Sequence, residues 1–187
     1  MSTYKFELPE HLIARTPSNI RSKSKLLSLS GNNISDCCFD ELPDLLVKGD
    51  LLVFNDSRVF PARLLLKTEN GGKVELLMVH QRSDVWATMA KPSRRLRAGT
   101  LLYNYQGQSV AEVVDRENEF VLVKGVNVDL LEYAENSGFM PLPPYIRKAR
   151  LNDGLDETNN EDQNRYQTVY ANQSGSVAAP TAGLHFD

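Results

Sequence analysis

Beyond residue 62 the chain breaks into six short runs of alternating apolar and polar residues, and this repetition restricts the fold more than any other feature. Residues 63–68, 73–80, 85–90, 100–105, 109–114 and 120–124 each read as a strand. Turn chemistry separates most of them: Asn70, Gly71 and Gly72; Arg82, Ser83 and Asp84; Gln106, Gly107 and Gln108; Arg116, Glu117 and Asn118. Short strands repeated at this spacing are the pattern of an all-β fold. They predict a small antiparallel barrel or sandwich. The link over 91–99 is longer and strongly basic.

The flanking stretches have a different character, so the expected fold class is α/β plus all-β, with a small antiparallel β-barrel domain inserted into a partial α/β catalytic domain. The expected segments are 1–61, the inserted barrel over 62–126, and a return over 127–187. In the first segment, residues 25–29 and 34 onward flank Gly31, Asn32 and Asn33 as a hairpin. Residues 39–47 predict a helix capped by Asp40, with Pro43 in its first turn and Gly49 past its end. Residues 51–54 form an apolar run that predicts a strand covered on both faces. In the third segment, 128–136 predicts a helix capped by Asn127 and stopped near Gly138. Pro141, Pro143 and Pro144 predict a stiff extended stretch. Residues 152–164 carry carboxylates without a cation and predict a mobile surface loop. Residues 176–179 predict a buried strand. The run then ends on Asp187, a residue suited to open a helix, so the chain is expected to be the front part of a longer enzyme.

Composition narrows the function classes. Of 187 residues, 41% are hydrophobic and 24% charged, with a net charge of −3, so any polyanion partner must be met by a local basic face. The two cysteines, Cys37 and Cys38, are adjacent, which provides neither a disulfide framework nor a paired zinc motif; no metal is expected. No apolar run approaches membrane-spanning length, and the N-terminus lacks a signal-peptide layout, so a cytoplasmic protein without membrane contact is expected.

Four stretches could carry chemistry. Asn55, Asp56, Ser57 and Arg58 follow the predicted strand 51–54, at the strand edge where α/β folds bind ligands. Asp56 could handle a proton and Arg58 could clamp a carboxylate or phosphate; a local turn satisfied by Asn55 and Asp56 is the equally weighted plain alternative. Lys91, Arg94, Arg95 and Arg97 form a cationic loop suited to an RNA backbone, and Arg147 and Lys148 repeat the theme; a solvated loop is the commoner meaning of such a run. Arg165, Tyr166, Thr168 and Tyr170 put aromatic faces beside a guanidinium, fit for stacking on a base, although the alternation also suits a half-exposed strand. Residues 177–186 gather small residues with Pro180, Thr181, Gly183 and His185. Backbone N–H groups near Thr181 could bind an anion, and His185 could act as acid or base.

Together these segments resemble one family, the S-adenosylmethionine:tRNA ribosyltransferase-isomerases of queuosine biosynthesis. The resemblance covers the chain in order through 14–17, 21–27, 49–63, 72–75, Lys91 with Pro92, 141–146, 165–171 and 177–186, the last two being the most specific. Departures are mild at Lys25, where the family has Arg, and at Ser57 and Asp187, where it commonly has Thr. Family members also continue well beyond residue 187.

The resemblance implies a monomeric two-domain enzyme. Its reaction moves the ribosyl portion of S-adenosylmethionine to 7-aminomethyl-7-deazaguanine in a tRNA anticodon loop, giving epoxyqueuosine, adenine and methionine. S-adenosylmethionine is then a consumed substrate, and no cofactor is expected. It implies Asp56 and His185 as catalytic residues. Asn55, Ser57, Arg58, Arg63, Lys91, Arg165, Tyr166, Thr168, Tyr170, Pro180, Thr181 and Gly183 are implied as substrate-binding, and Arg94, Arg95, Arg97, Arg147 and Lys148 as RNA-binding. Turnover by this stretch alone is not expected. Two other readings compete: a tRNA-binding module without chemistry, and a fragment whose uncovered strand edges prevent stable folding.

Overall fold

The computed structural model describes residues 6–159 and 161–187. In chain order the regular elements are β1 (Lys25–Ser30), β2 (Asn33–Cys38), β3 (Ser57–Val59), β4 (Arg63–Thr68), β5 (Lys73–Arg82), β6 (Val85–Lys91), β7 (Leu101–Tyr103), β8 (Ser109–Glu117) and β9 (Phe120–Gly125). The helices α1 (Leu130–Ser137), α2 (Pro144–Asn152) and α3 (Asp162–Arg165) follow, then β10 (Gln173–Ser176). Short 3-10 turns occupy Glu10–Leu12, Arg21–Lys23, Phe39–Leu45 and Thr181–His185. The chain divides into two compact units. One comprises Met1–Ser57, Leu142–Asn172 and Ala179–Asp187; the other comprises Arg58–Pro141 and Gln173–Ala178.

The second unit is a closed barrel in the order β4–β5–β6–β9–β8–β7, antiparallel throughout. All six strands lie where the alternation placed them. Closure removes exposed sheet edges and points every second side chain inward. Leu64, Leu66, Val74, Leu76, Met78, Leu102, Val110, Val113, Val121 and Val123 are each at most 3% exposed. Each such aliphatic side chain contributes about 1.5–3 kcal/mol when fully buried. Thr88 of β6 is buried as well, and its hydroxyl donates to the Val121 carbonyl at 2.8 Å. Helix α1 adds Leu130 and Ala134 to this core. Gly138 ends the helix where a Cβ would collide with the carbonyl oxygen of Pro61.

Three helical expectations need correction. Residues 39–45 form a 3-10 stretch, because Pro43 lies inside it and supplies no N–H for an α-helical ladder. Its N-cap is Cys38 rather than Asp40, with the Glu41 carboxylate accepting from the Cys38 N–H at 2.7 Å. Helix α1 is capped by Asp129, whose carboxylate accepts from the N–H groups of Leu131 and Glu132, whereas Asn127 takes a positive φ of 57° in the preceding turn.

The third correction concerns 141–164. Pro144 opens α2 from its first position, where a missing N–H is harmless. The acidic stretch after it is tethered: Asp162 is 5% exposed and accepts both guanidinium arms of Arg150 at 2.8 Å. The strand expected over 176–179 appears earlier, as β10, which pairs with β3.

Residues 51–54 are also not a strand. Leu51 and Val53 are 85% and 87% exposed. Among the described residues no strand lies alongside to take their backbone hydrogen bonds, so the apolar run stays extended and uncovered. The hairpin β1–β2 forms as expected, turning at Gly31 with a φ of 60°.

Candidate functional site

In the first unit, long-range contacts draw three of the four candidate stretches together. The ring of Phe54, just before Asn55, lies 5.1 Å from Tyr170 and 5.1 Å from Phe186, in both cases edge to face. Tyr170 and Phe186 are themselves 5.9 Å apart, and Phe39 closes the group at 4.8 Å from Phe186 and 5.4 Å from the His185 ring. Aromatic pairs at such separations favour edge-on geometry. The N–H of Asn172 donates to the Asp56 carbonyl at 2.7 Å, which holds residue 56 beside the segment carrying Tyr170. Asp56 and His185 thus flank one aromatic nest, two residues and one residue from its members.

Gly183 explains why the terminal turn is rich in small residues. It is buried, and a Cβ there would press on the Tyr170 hydroxyl and lie 2.8 Å from Thr168 Cγ2. The turn is 3-10, because the Gly183 N–H donates to the Pro180 carbonyl at 2.8 Å. That N–H is therefore spent within the turn and is not available to bind an anion. The Asp187 carboxylate accepts from the Ser22 hydroxyl at 2.6 Å, and this hydrogen bond, first among several causes, lowers its pKa.

Two adjoining cavities lie in this unit. One of about 160 Å³ is mainly apolar and is lined by Leu142, Tyr145, Ile146, Tyr166, Thr181 and Leu184, among others. The other, of about 510 Å³, is mixed in character and is lined by Ser18, Asn19, Asn159, Glu161 and Asn164, among others. Thr16, Pro17, Arg150, Asp162 and Arg165 border both. Burial raises the pKa of Tyr166, against a hydrogen bond with the backbone of Ala179 that lowers it. Thr168 is 4% exposed, and its hydroxyl has no hydrogen-bond partner among the described residues.

Guanidinium groups hold the cavity walls. Arg21 donates to the carbonyls of Asn164 and Gln167 at 2.8 Å and of Leu184 at 3.1 Å. Its pKa is lowered, first by burial and then by the nearby Arg165. Arg165 donates to the Ser18 carbonyl. Arg150, raised in pKa by its hydrogen bonds to Asp162, also donates to Arg15 O at 3.1 Å.

The remaining candidates lie elsewhere or are occupied. Asn55 accepts from the Ser57 N–H at 2.9 Å, the local turn that residue type alone allowed. Arg58, Arg63 and Lys91 belong to the barrel unit. Arg63 is 4% exposed and pairs with Glu75 at 3.0 Å, so its charge is used within the barrel wall. Arg94, Arg95 and Arg97 are exposed on the barrel loop, pinned by Leu96 at 1% exposure. Arg147 pairs with Glu157 at 3.4 Å, and Lys148 is exposed. The strand considered for 165–170 is absent; Arg165 ends α3 and the residues after it are irregular. Cys38, Asp40 and Glu41 place potential metal-ligand atoms within 4.8 Å of one another, but Asp40 pairs with Lys23 and Glu41 caps the Cys38 N–H. Sequence reasoning overlooked Arg21, Tyr145, Ile146 and the Arg150–Asp162 pair. Arg21 and Tyr145 stand inside matched motifs, and Pro144 was the available signal for α2.

The family described as "Queuosine biosynthesis protein" matches residues 1–187, and the chain belongs to it. An S-adenosylmethionine:tRNA ribosyltransferase-isomerase of Staphylococcus saprophyticus is 43% identical over 100% of this chain and 53% of its own length. The protein of that name from Macrococcus caseolyticus is 40% identical with the same coverage. A crystal structure of an S-adenosylmethionine tRNA ribosyltransferase from Thermotoga maritima aligns over 81% of this chain and 54% of its own, at 27% identity and a TM-score of 0.37. The chain spans about half the length of the curated relatives it matches. No described helix is long and apolar enough to cross a membrane.

Proposed function

We propose that this chain carries site elements of a transferase that moves and isomerises the ribosyl group of S-adenosylmethionine onto 7-aminomethyl-7-deazaguanine in a tRNA anticodon. Epoxyqueuosine forms, and adenine and methionine leave. The observation that carries this reading is the convergence of Phe54 and Asp56 with Tyr170 and Phe186, which brings together the two stretches most characteristic of the family.

The chemistry sets two demands. The positive sulfur acidifies the C5′ hydrogens of the sugar, so a placed base can remove one. Adenine leaves more readily when hydrogen-bond donors take up the charge on its ring, inside a pocket that excludes water. Asp56 and His185 are assigned to proton handling. Tyr166 and Thr181 line the apolar cavity, which suits a flat base, while Tyr170 and Gly183 fix its supporting wall. The basic loop of Arg94, Arg95 and Arg97 grips phosphates of the anticodon arm, whose reacting base must leave its stack.

The test measures adenine release from S-adenosylmethionine with precursor tRNA, for the chain alone and for the chain mixed with a polypeptide matching the remainder of a relative. Adenine release in either arm that disappears in Asp56→Asn or His185→Gln supports the assignment. No release in either arm, with folding verified by circular dichroism, refutes it. Salt-sensitive tRNA binding without release would instead favour a binding module.

A further inference from the structure

The cations of the barrel fall into two groups. Arg63, Arg82 and Lys124 pair with Glu75, Glu117 and Glu112 at 3.0, 3.0 and 3.3 Å. Lys67, Lys73, Lys91, Arg94, Arg95 and Arg97 join none of the ion pairs among the described residues. The unpaired group is also gathered in space. Strand β6 leaves the barrel at Lys91, opposite Glu75 and therefore two residues from Lys73, and the Arg94–Arg97 loop begins there. The Arg116 guanidinium donates to the Ser93 carbonyl of this loop at 3.2 Å, adding another cation.

Within this group Lys67 and Lys73 face each other directly across β4 and β5, and Tyr103 of β7 faces Lys67 on its other side. Their inward neighbours Leu66, Val74 and Leu102 are in the core, so Tyr103, Lys67 and Lys73 form one row on the outer surface. The Thr68 N–H donates to Gly72 O at 2.8 Å, which makes the adjacent Lys67–Lys73 pair a non-hydrogen-bonded one. Side chains approach most closely at such positions. Like charges directly opposite destabilise a sheet. The nearest carboxylate in the register, Glu75, is already held by Arg63; Glu69 lies in the exposed β4–β5 turn.

The geometry points to this row as a phosphate-binding step for RNA: one phosphate bridges the Lys67 and Lys73 ammonium groups while the Tyr103 ring packs on the adjoining sugar or base. A phosphate offers two anionic oxygens to the two ammonium groups, and the aromatic neighbour favours a nucleic acid over a purely anionic surface. The row extends the basic loop into a longer track. This inference rests on the reading of that loop as a tRNA contact.

The test uses the full chain and a fluorescein-labelled RNA stem–loop of anticodon-arm size, followed by anisotropy from about 50 to 200 mM salt, the range over which phosphate contacts dominate the change in affinity. In Lys67→Gln/Lys73→Gln the magnitude of the log K against log salt slope falls by about 2, about 1 for each contact. Lys67→Glu, which faces Lys73 with an opposite charge, weakens RNA binding yet raises Tm by roughly 1–3 °C. A slope unchanged in the double variant, while Arg94→Gln/Arg95→Gln/Arg97→Gln loses affinity, overturns this inference and leaves the loop reading intact. Failure of the unaltered chain to bind the stem–loop overturns both. A Tm that does not rise in Lys67→Glu also counts against it, because the two lysines would then not be in conflict.

Discussion

Replacing Asp162 by Asn is the sharpest perturbation of the first unit. The substitution keeps the shape of the side chain and removes its charge. Arg150 and Asp162 are 4% and 5% exposed and share two hydrogen bonds of 2.8 Å, and Asp162 also accepts from the Asn159 N–H at 2.8 Å. Asp162→Asn leaves the Arg150 guanidinium charged and buried against an amide that offers it one acceptor. Breaking a buried pair in this way costs about 3–5 kcal/mol, against about 0–1 for an exposed pair. At 1.4 kcal/mol per tenfold, that is a rise of roughly two to three and a half orders of magnitude in the local opening constant. Hydrogen exchange by mass spectrometry would show it as lost amide protection over residues 142–172. The only tryptophan, Trp86, packs at 5.8 Å on Phe60 in the barrel core, so its fluorescence reports the other unit. Its unfolding midpoint in urea should stay unchanged. The double replacement Arg150→Met/Asp162→Leu should recover most of the protection, since a packed apolar pair avoids the desolvation of two charges. A loss below about 1 kcal/mol in Asp162→Asn, or no recovery in the double variant, would refute the reasoning.

Gly183→Ala should destabilise the first unit by about 1–3 kcal/mol, because its methyl group overpacks Thr168 and the Tyr170 hydroxyl; Tyr170→Phe should relieve part of this, measured by the same exchange experiment. Gly138→Ala should do more harm, and in the barrel, since the Pro61 backbone it meets cannot swing aside; Trp86 fluorescence on urea titration would detect it. Burial raises the pKa of Tyr166 and Tyr133 above the ordinary value of 10.0. Above pH 10 the unfolded phenols lose protons that the folded ones keep, so stability is intact below that pH and falls as pH rises through it. Tyr133→Phe should flatten the alkaline limb of a Tm–pH profile, and an unchanged limb would sink that assignment.

The barrel was legible because its information is local. Alternation fixes which face of β4, β5 and β8 turns inward, and Gly and Asn mark the turns; the closing register follows once every edge must be paired. The first unit was less legible because long-range side-chain contacts define it. Arg21 bonds carbonyls more than 140 positions away, and no periodicity announces that. Residues 51–54 have the composition of a covered strand yet lie exposed, since apolar content reports a preference for cover but does not supply the cover. Helix α2 is hidden by the spacing of Pro141, Pro143 and Pro144, which suits one stiff rod, whereas Pro144 alone is a helix opener. For the candidate site, residue type pointed to Tyr166 and Thr181, which line the apolar cavity, to Gly183, which abuts Tyr170, and to Asp56, which is bonded to Asn172. It could not separate Asn55, which closes a turn on itself, from a ligand contact.

The bonds of Arg21 also set an order of events during synthesis. The barrel strands are complete once Gly125 has been made, and four of their six pairings join strands consecutive in the chain. Arg21, although among the first residues to emerge, waits for Asn164, Gln167 and Leu184 before its guanidinium has anything to hold. Distant pairings pay their loop-closure entropy late. A ribosome translating this message therefore presents complete barrel strands while the N-terminal arm that carries Arg21 still lacks its fastenings.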